Sequence, residues 1–244
     1  MSAIARGMPS IDRQFQAVDY FLRADPRGLG QWEARRGSRL GWFCVFAVAI
    51  GAGTYGAVAG CWWSPLQSFY VAIKLPLLIL LTTLGNGLLN SMLAPLLGLN
   101  ISFRQSLTAV LVSFAFGSLI LGGLSPVALF VVWNTPSPGL VTAASPTHSL
   151  LQLALVAFIA FAGVVGNVRL LPLLQQWAGN RRVARRVLFS WLAGNLFLGS
   201  QICWVLRPFI WAGGDPAPFL TRDAFHGNFY ETVFRAAQRL FLGA

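Results

Sequence analysis

Seven polar side chains fall within long apolar stretches of the chain: Lys74, Asn86, Asn90, Asn167, Asn195, Gln201 and Arg207. In hydrocarbon such groups are costly, and they mark binding sites, solute paths or hydrogen bonds between helices. Three of the asparagines follow a glycine, as Gly85-Asn86, Gly166-Asn167 and Gly194-Asn195. Glycine allows close helix approach and an amide bonds across the contact, so the leading expectation is adhesion between helices. Asn86 and Asn90 are four apart and share one helix face. Lys74 has three readings: an amine snorkelling to the membrane interface, a donor to an asparagine or helix-end carbonyl, or a site for an anion or lipid headgroup shared with Arg207. A rival expectation is a path for an anionic or neutral solute lined by Lys74, Asn86, Asn90, Asn195 and Arg207.

Catalytic patterns are missing. The seven carboxylates (Asp12, Asp19, Asp25, Glu33, Asp215, Asp223 and Glu231) all lie outside the apolar stretches, which removes the acid that a proton-coupled carrier uses as relay. The two histidines, His148 and His226, have no cysteine or carboxylate at metal-ligand spacing. No phosphate-cradling GxxxxGK[ST] or HExxH motif is present. Ser91, Ser113 and Ser190 have no histidine base near them in the sequence. The expectation is a protein that is not an enzyme and has no metal or cofactor. Cys44, Cys61 and Cys203 suggest no disulfide framework. Val58-Ala59-Gly60-Cys61 resembles a lipoprotein processing box, but some forty residues precede its apolar run, so that run reads as an uncleaved helix.

The elements that must hold these residues follow from composition. Of 244 residues, 56% are apolar and 10% are charged, against about a quarter charged in soluble domains. Five stretches reach the roughly 20 residues needed to cross about 30 Å of hydrocarbon. They run from Gly41 to about Gly60, Leu66 to Ala94, Ser106 to Trp133, Leu150 to Leu174 and Val187 to Leu206. Each is continuously apolar, which predicts helices and an all-α polytopic transmembrane bundle. Pro76 and Pro126 predict a tilt or kink in the second and third spans.

Arginine sets the expected orientation. Arg6, Arg13, Arg23, Arg27, Arg35, Arg36 and Arg39 precede the first span, Arg104 lies in the second connection, and Arg181, Arg182, Arg185 and Arg186 lie in the fourth. The first and third connections carry no arginine or lysine. This alternation predicts a cytoplasmic N-terminus and an outer C-terminus. It also accounts for the net charge of +11, with anionic headgroups and not nucleic acid as the partner.

Residues 1–40 read as a cytoplasmic segment, with an amphipathic helix carrying Ile11, Phe15, Val18, Phe21 and Leu22 on one face. Asp25-Pro26-Arg27-Gly28 reads as a turn leading into the first span. Residues 41–211 form the five-span domain, and 212–244 an outer-face tail with a short amphipathic helix over Asn228 to Leu240.

Leu89-Asn90-Ser91-Met92-Leu93-Ala94-Pro95-Leu96-Leu97-Gly98, Ser102-Phe103-Arg104-Gln105 and Leu124-Ser125-Pro126 together resemble the middle of the Yip family of five-span membrane proteins. Leu196-Phe197-Leu198-Gly199-Ser200-Gln201, Leu206-Arg207-Pro208-Phe209 and Gly227-Asn228-Phe229-Tyr230-Glu231 resemble bacterial inner-membrane proteins without an assigned activity. The resemblance implies a multi-pass protein of the bacterial cytoplasmic membrane, and it carries over no active site. The expected function is that of a non-enzymatic organiser, assembly factor or accessory subunit acting through lipids or other membrane proteins, as an oligomer or otherwise. The alternative is a channel or carrier.

Overall fold

The computed structural model describes residues 26–136, 146–207, 219, 220 and 230, with side chains from Leu40 in the first helix and Leu150 in the fourth. Six helices follow in order: α1 (Pro26–Cys61), α2 (Pro65–Leu96), α3 (Phe103–Trp133), α4 (Pro146–Val168), α5 (Leu171–Ala178) and α6 (Arg181–Leu206). No strand occurs among the described residues. Five stretches are long and apolar enough to cross a bilayer: Leu40–Cys61, α2, α3, Leu150–Ala178 and α6. The chain is an all-α bundle and a multi-pass membrane protein.

Local chemistry sets the helix ends. Ser64 caps α2, its Oγ accepting the Gln67 N–H at 3.1 Å, and Pro65 follows where no amide hydrogen is required. Ser102 and Gln105 form a reciprocal capping box on α3. Asn180 Oδ1 accepts the Arg182 N–H at 2.8 Å to start α6. Gly98 and Gly179 adopt positive φ, of 89° and 60°, and turn the chain after α2 and α5. Trp62 Nε1 donates to the Pro136 carbonyl at 3.0 Å, which joins the first and third connections at one end of the bundle. Arginines 104, 169, 181, 182, 185 and 186 belong to the other end, while Arg207 closes α6 at the end of Trp62.

Three expected boundaries move. Pro26–Gly28, expected as a turn, form the first turn of α1, because proline is well suited to the first helical position. The fourth apolar stretch is interrupted: α4 ends at Val168, and a turn at Arg169–Leu170 leads into α5 with Pro172 near its start. Pro172 cannot donate to the preceding turn, which favours a new helix at this point. The last helix begins at Arg181 and not at Val187, because the Asn180 cap lies seven residues upstream of Val187. Both Pro76 and Pro126 lie inside continuous helices. The amphipathic N-terminal helix (10–22) and the tail helix (228–240) lie outside the described residues, apart from Tyr230.

The bundle is organised around α3, which packs against α1, α2 and α4, while α6 leans on α2 and α5. Glycine brings the backbones together. A Cβ on Gly51 would land on the Ser118 carbonyl of α3, and one on Gly56 would lie 2.5 Å from the Val71 carbonyl of α2. Gly60 meets the Gln67 carbonyl at 2.6 Å in the same sense. These contacts are backbone on backbone, so no rotamer change relieves them. Gly51→Ala and Gly56→Ala should therefore each cost about 1–3 kcal/mol of stability. Gly123→Ala, whose Cβ meets nothing within 4 Å, should be neutral. Thermal unfolding of the three variants in one detergent checks this contrast.

Candidate functional site

The polar residues divide into three groups. The first unites all three Gly-Asn dipeptides. Asn86 Nδ2 on α2 donates to Asn195 Oδ1 on α6. Asn195 Nδ2 donates to Asn167 Oδ1 on α4 at 3.2 Å, and Asn167 Nδ2 donates to the Gly163 carbonyl at 2.8 Å. Asn86 Nδ2 also lies 3.4 Å from the Trp191 carbonyl. One chain of amides thus joins three helices. Gly194 and Gly85 serve the α2–α6 contact, and Gly166 serves that of α4 with α3. A Cβ on Gly194 would reach 2.6 Å from Asn86 Oδ1, one on Gly166 would reach 2.7 Å from the Ser113 carbonyl, and one on Gly85 would reach 3.2 Å from Leu198. The expectation of inter-helix adhesion holds for Asn86, Asn167 and Asn195.

The second group extends this chain towards the arginine-rich end. Thr82 faces Gly199, Gly85 faces Leu198 and Asn86 faces Gly194, so α2 and α6 run antiparallel. That register sets Asn90 level with Trp191. Both are fully buried. Asn90 Oδ1, Asn90 Nδ2, Trp191 Nε1 and Asn86 Oδ1 make no hydrogen bond. Trp191 was not among the expected site residues. The signal was its place one turn before Asn195, on the same face of α6.

The third group comprises the cations and Gln201, which do not join the amides. Lys74 is 1% exposed, so its amine does not snorkel to the interface. Its Nζ lies 5.4 Å from the ring centroid of Phe219, and Phe219 meets Tyr70 edge to face at 5.6 Å. Arg207 turns back on its own helix. It caps α6 in a left-handed conformation at φ 42°, with Nε donating to the Trp204 carbonyl at 3.3 Å and its guanidinium 4.5 Å from the Trp204 ring. Gln201 is half-buried on α6. Lys74 and Arg207 thus have aromatic neighbours of their own, apart from the amide chain.

Among the described residues, no group of histidine, cysteine, aspartate or glutamate is arranged to hold a metal. No protein-family model matches the chain, and neither does any curated protein or solved structure. The fold and chemistry must therefore speak for themselves.

The amide chain makes opposite predictions for neighbouring asparagines. Asn195→Ala removes a link to two helices and strands buried groups, and should cost about 1–3 kcal/mol. Paired with Asn86→Ala in a double-mutant cycle, it should show a coupling of about 0.6–1.7 kcal/mol. Asn90→Leu removes amide atoms that have no partner, and should be neutral or stabilising in thermal unfolding.

Proposed function

We propose that the chain is a non-enzymatic protein of the bacterial cytoplasmic membrane that works through lipid or protein partners, as an organiser, assembly factor or accessory subunit. The observation that carries this reading is the closed amide chain of Asn86, Asn195 and Asn167. Three of the seven polar residues that could have lined a solute path are hydrogen-bonded to one another between helices. Burial adds support: only 17% of the most apolar window of α6 is buried within the bundle, against 56% in α3. A helix so lightly covered by its own chain leaves a broad face to lipid or to a neighbouring helix, and half-buried Gln201 offers that face a hydrogen-bonding group. Concentration of arginine at the end shared by Arg104, Arg169 and Arg181 supports a cytoplasmic N-terminus and an outer C-terminus. A Yip-like character would suit that topology.

A second reading is favoured by one observation, the unpartnered atoms of Asn90 and Trp191. They supply donor and acceptor groups to a small neutral guest and so support a channel or carrier. The two readings separate in experiment. Purification in mild detergent should recover the chain with a stoichiometric protein or a specific lipid, and recovery as a bare monomer would count against the partner reading. Flux of small anions and polyols into vesicles holding the protein should not exceed that of empty vesicles. A flux that falls on Lys74→Met or Asn90→Leu would favour the carrier instead.

A further inference from the structure

Buried polar atoms without a partner are rare in folded proteins, and each calls for a bound molecule, strain or a functional role. Four of them belong to the stretch where α2 packs against α6: Asn86 Oδ1, Asn90 Oδ1, Asn90 Nδ2 and Trp191 Nε1. All three side chains are fully buried.

The packing sets these atoms in one layer. Asn86 and Asn90 lie one turn apart on the same face of α2, and Ala94 follows one turn further on. Asn86 Nδ2 lies 3.4 Å from the Trp191 carbonyl, while Ala94 belongs to the same packed cluster as the Trp191 side chain. Asn90, between Asn86 and Ala94, therefore lies beside Trp191. Val110 of α3, Leu174 of α5 and Val187 of α6 complete that cluster, so four described helices enclose the indole. Gly194 keeps one wall open. Its missing Cβ would stand 2.6 Å from Asn86 Oδ1, so any larger residue would crowd that oxygen.

The chemistry of the four atoms selects their guest. Asn90 Nδ2 and Trp191 Nε1 donate, whereas the two amide oxygens accept. An anion would be repelled by the oxygens and a cation by the N–H groups. An uncharged molecule with both a donor and an acceptor can satisfy them all. Buried waters typically make about three hydrogen bonds, and this layer offers enough partners.

We propose that Asn86, Asn90 and Trp191 form an enclosed binding site between α2 and α6 for a small uncharged molecule that both donates and accepts hydrogen bonds. Water and a short amide or polyol share that chemistry. Asn86 joins the site to the amide chain, since its Nδ2 is engaged by Asn195 while its Oδ1 is left for the guest. The site deepens the second reading above and rests on it for the class of guest. Binding without flux would leave the site standing and remove the carrier.

The test follows the indole N–H signals of full-length protein in nanodiscs by nuclear magnetic resonance. The Trp191 signal is the one absent from Trp191→Phe or, should that variant not fold, the one that moves in Asn90→Leu. Wild type should show magnetisation transfer between this N–H and bound water, or a saturable shift of the signal on titration with acetamide or glycerol. Transfer without a saturable shift would identify water as the occupant. A saturable shift that removes the transfer would identify an organic guest. Asn90→Leu should abolish both effects while the protein stays folded, because leucine neither donates nor accepts. Neither effect in wild type, both effects unchanged in Asn90→Leu, or no indole signal moved by Asn90→Leu would overturn the proposal.

Discussion

Hydrocarbon offers no hydrogen-bond partner, so every polar group within the spans must be satisfied by the chain itself or by something bound to it. That constraint selects helices for the backbone. It then acts on the side chains, where several threonines and serines fold back on their own helices. Thr82, Thr83 and Ser125 each donate to the carbonyl four residues earlier. Longer polar groups cannot close on their own turn so readily and must reach a neighbour. Tyr55 reaches the Leu155 carbonyl across the bundle at 2.7 Å, and Asn86 and Asn195 reach each other.

Two kinds of adhesion divide the bundle. Between α1, α2 and α3, glycine lets backbones meet, and apolar packing fills the rest, with Val48, Ala52, Leu75 and Phe116 in one core. The helix α6 is held differently. It buries Val187, Leu188 and Trp191 towards α2 and α5, and beyond Trp191 it depends on amides and on Gly194 and Gly199. Its hydrogen bond to α4 through Asn195 and Asn167 joins two helices that share little other packing. A glycine contact between backbones is rigid because nothing in it can rotate, whereas amide contacts can exchange partners.

Most of the fold was legible because a helix in lipid writes its whole length as an apolar run. Helix ends were less legible. The run from Leu150 continues past Val168, and only Pro172 hints that the helix stops and a short α5 begins. Adhesion by Asn86, Asn167 and Asn195 could be expected from the repeated Gly-Asn pair, but their joining into a single chain could not, since sequence does not give the register of α2 against α6. Trp191 was missed because a tryptophan in an apolar helix reads as lipid-facing or interfacial. Here its ring is wholly inside and its Nε1 lacks an acceptor. Phe219 over Lys74 was invisible because it joins residues far apart in sequence and in different parts of the chain.

Lys74 and Arg207 make the clearest comparison, since both belong to the part of the bundle away from the arginine-rich end. Arg207 sits where a helix ends, at the pole of the dipole that favours cations, and its Nε binds a terminal carbonyl while Trp204 covers the guanidinium. The protein supplies everything that cation needs. Lys74 sits in the body of α2, where the helix end is two to three turns away. Arginine also spreads its charge over a planar fork, whereas lysine concentrates it in a strongly hydrated point. Among the described residues, the cation that is harder to desolvate is thus the one given fewer partners.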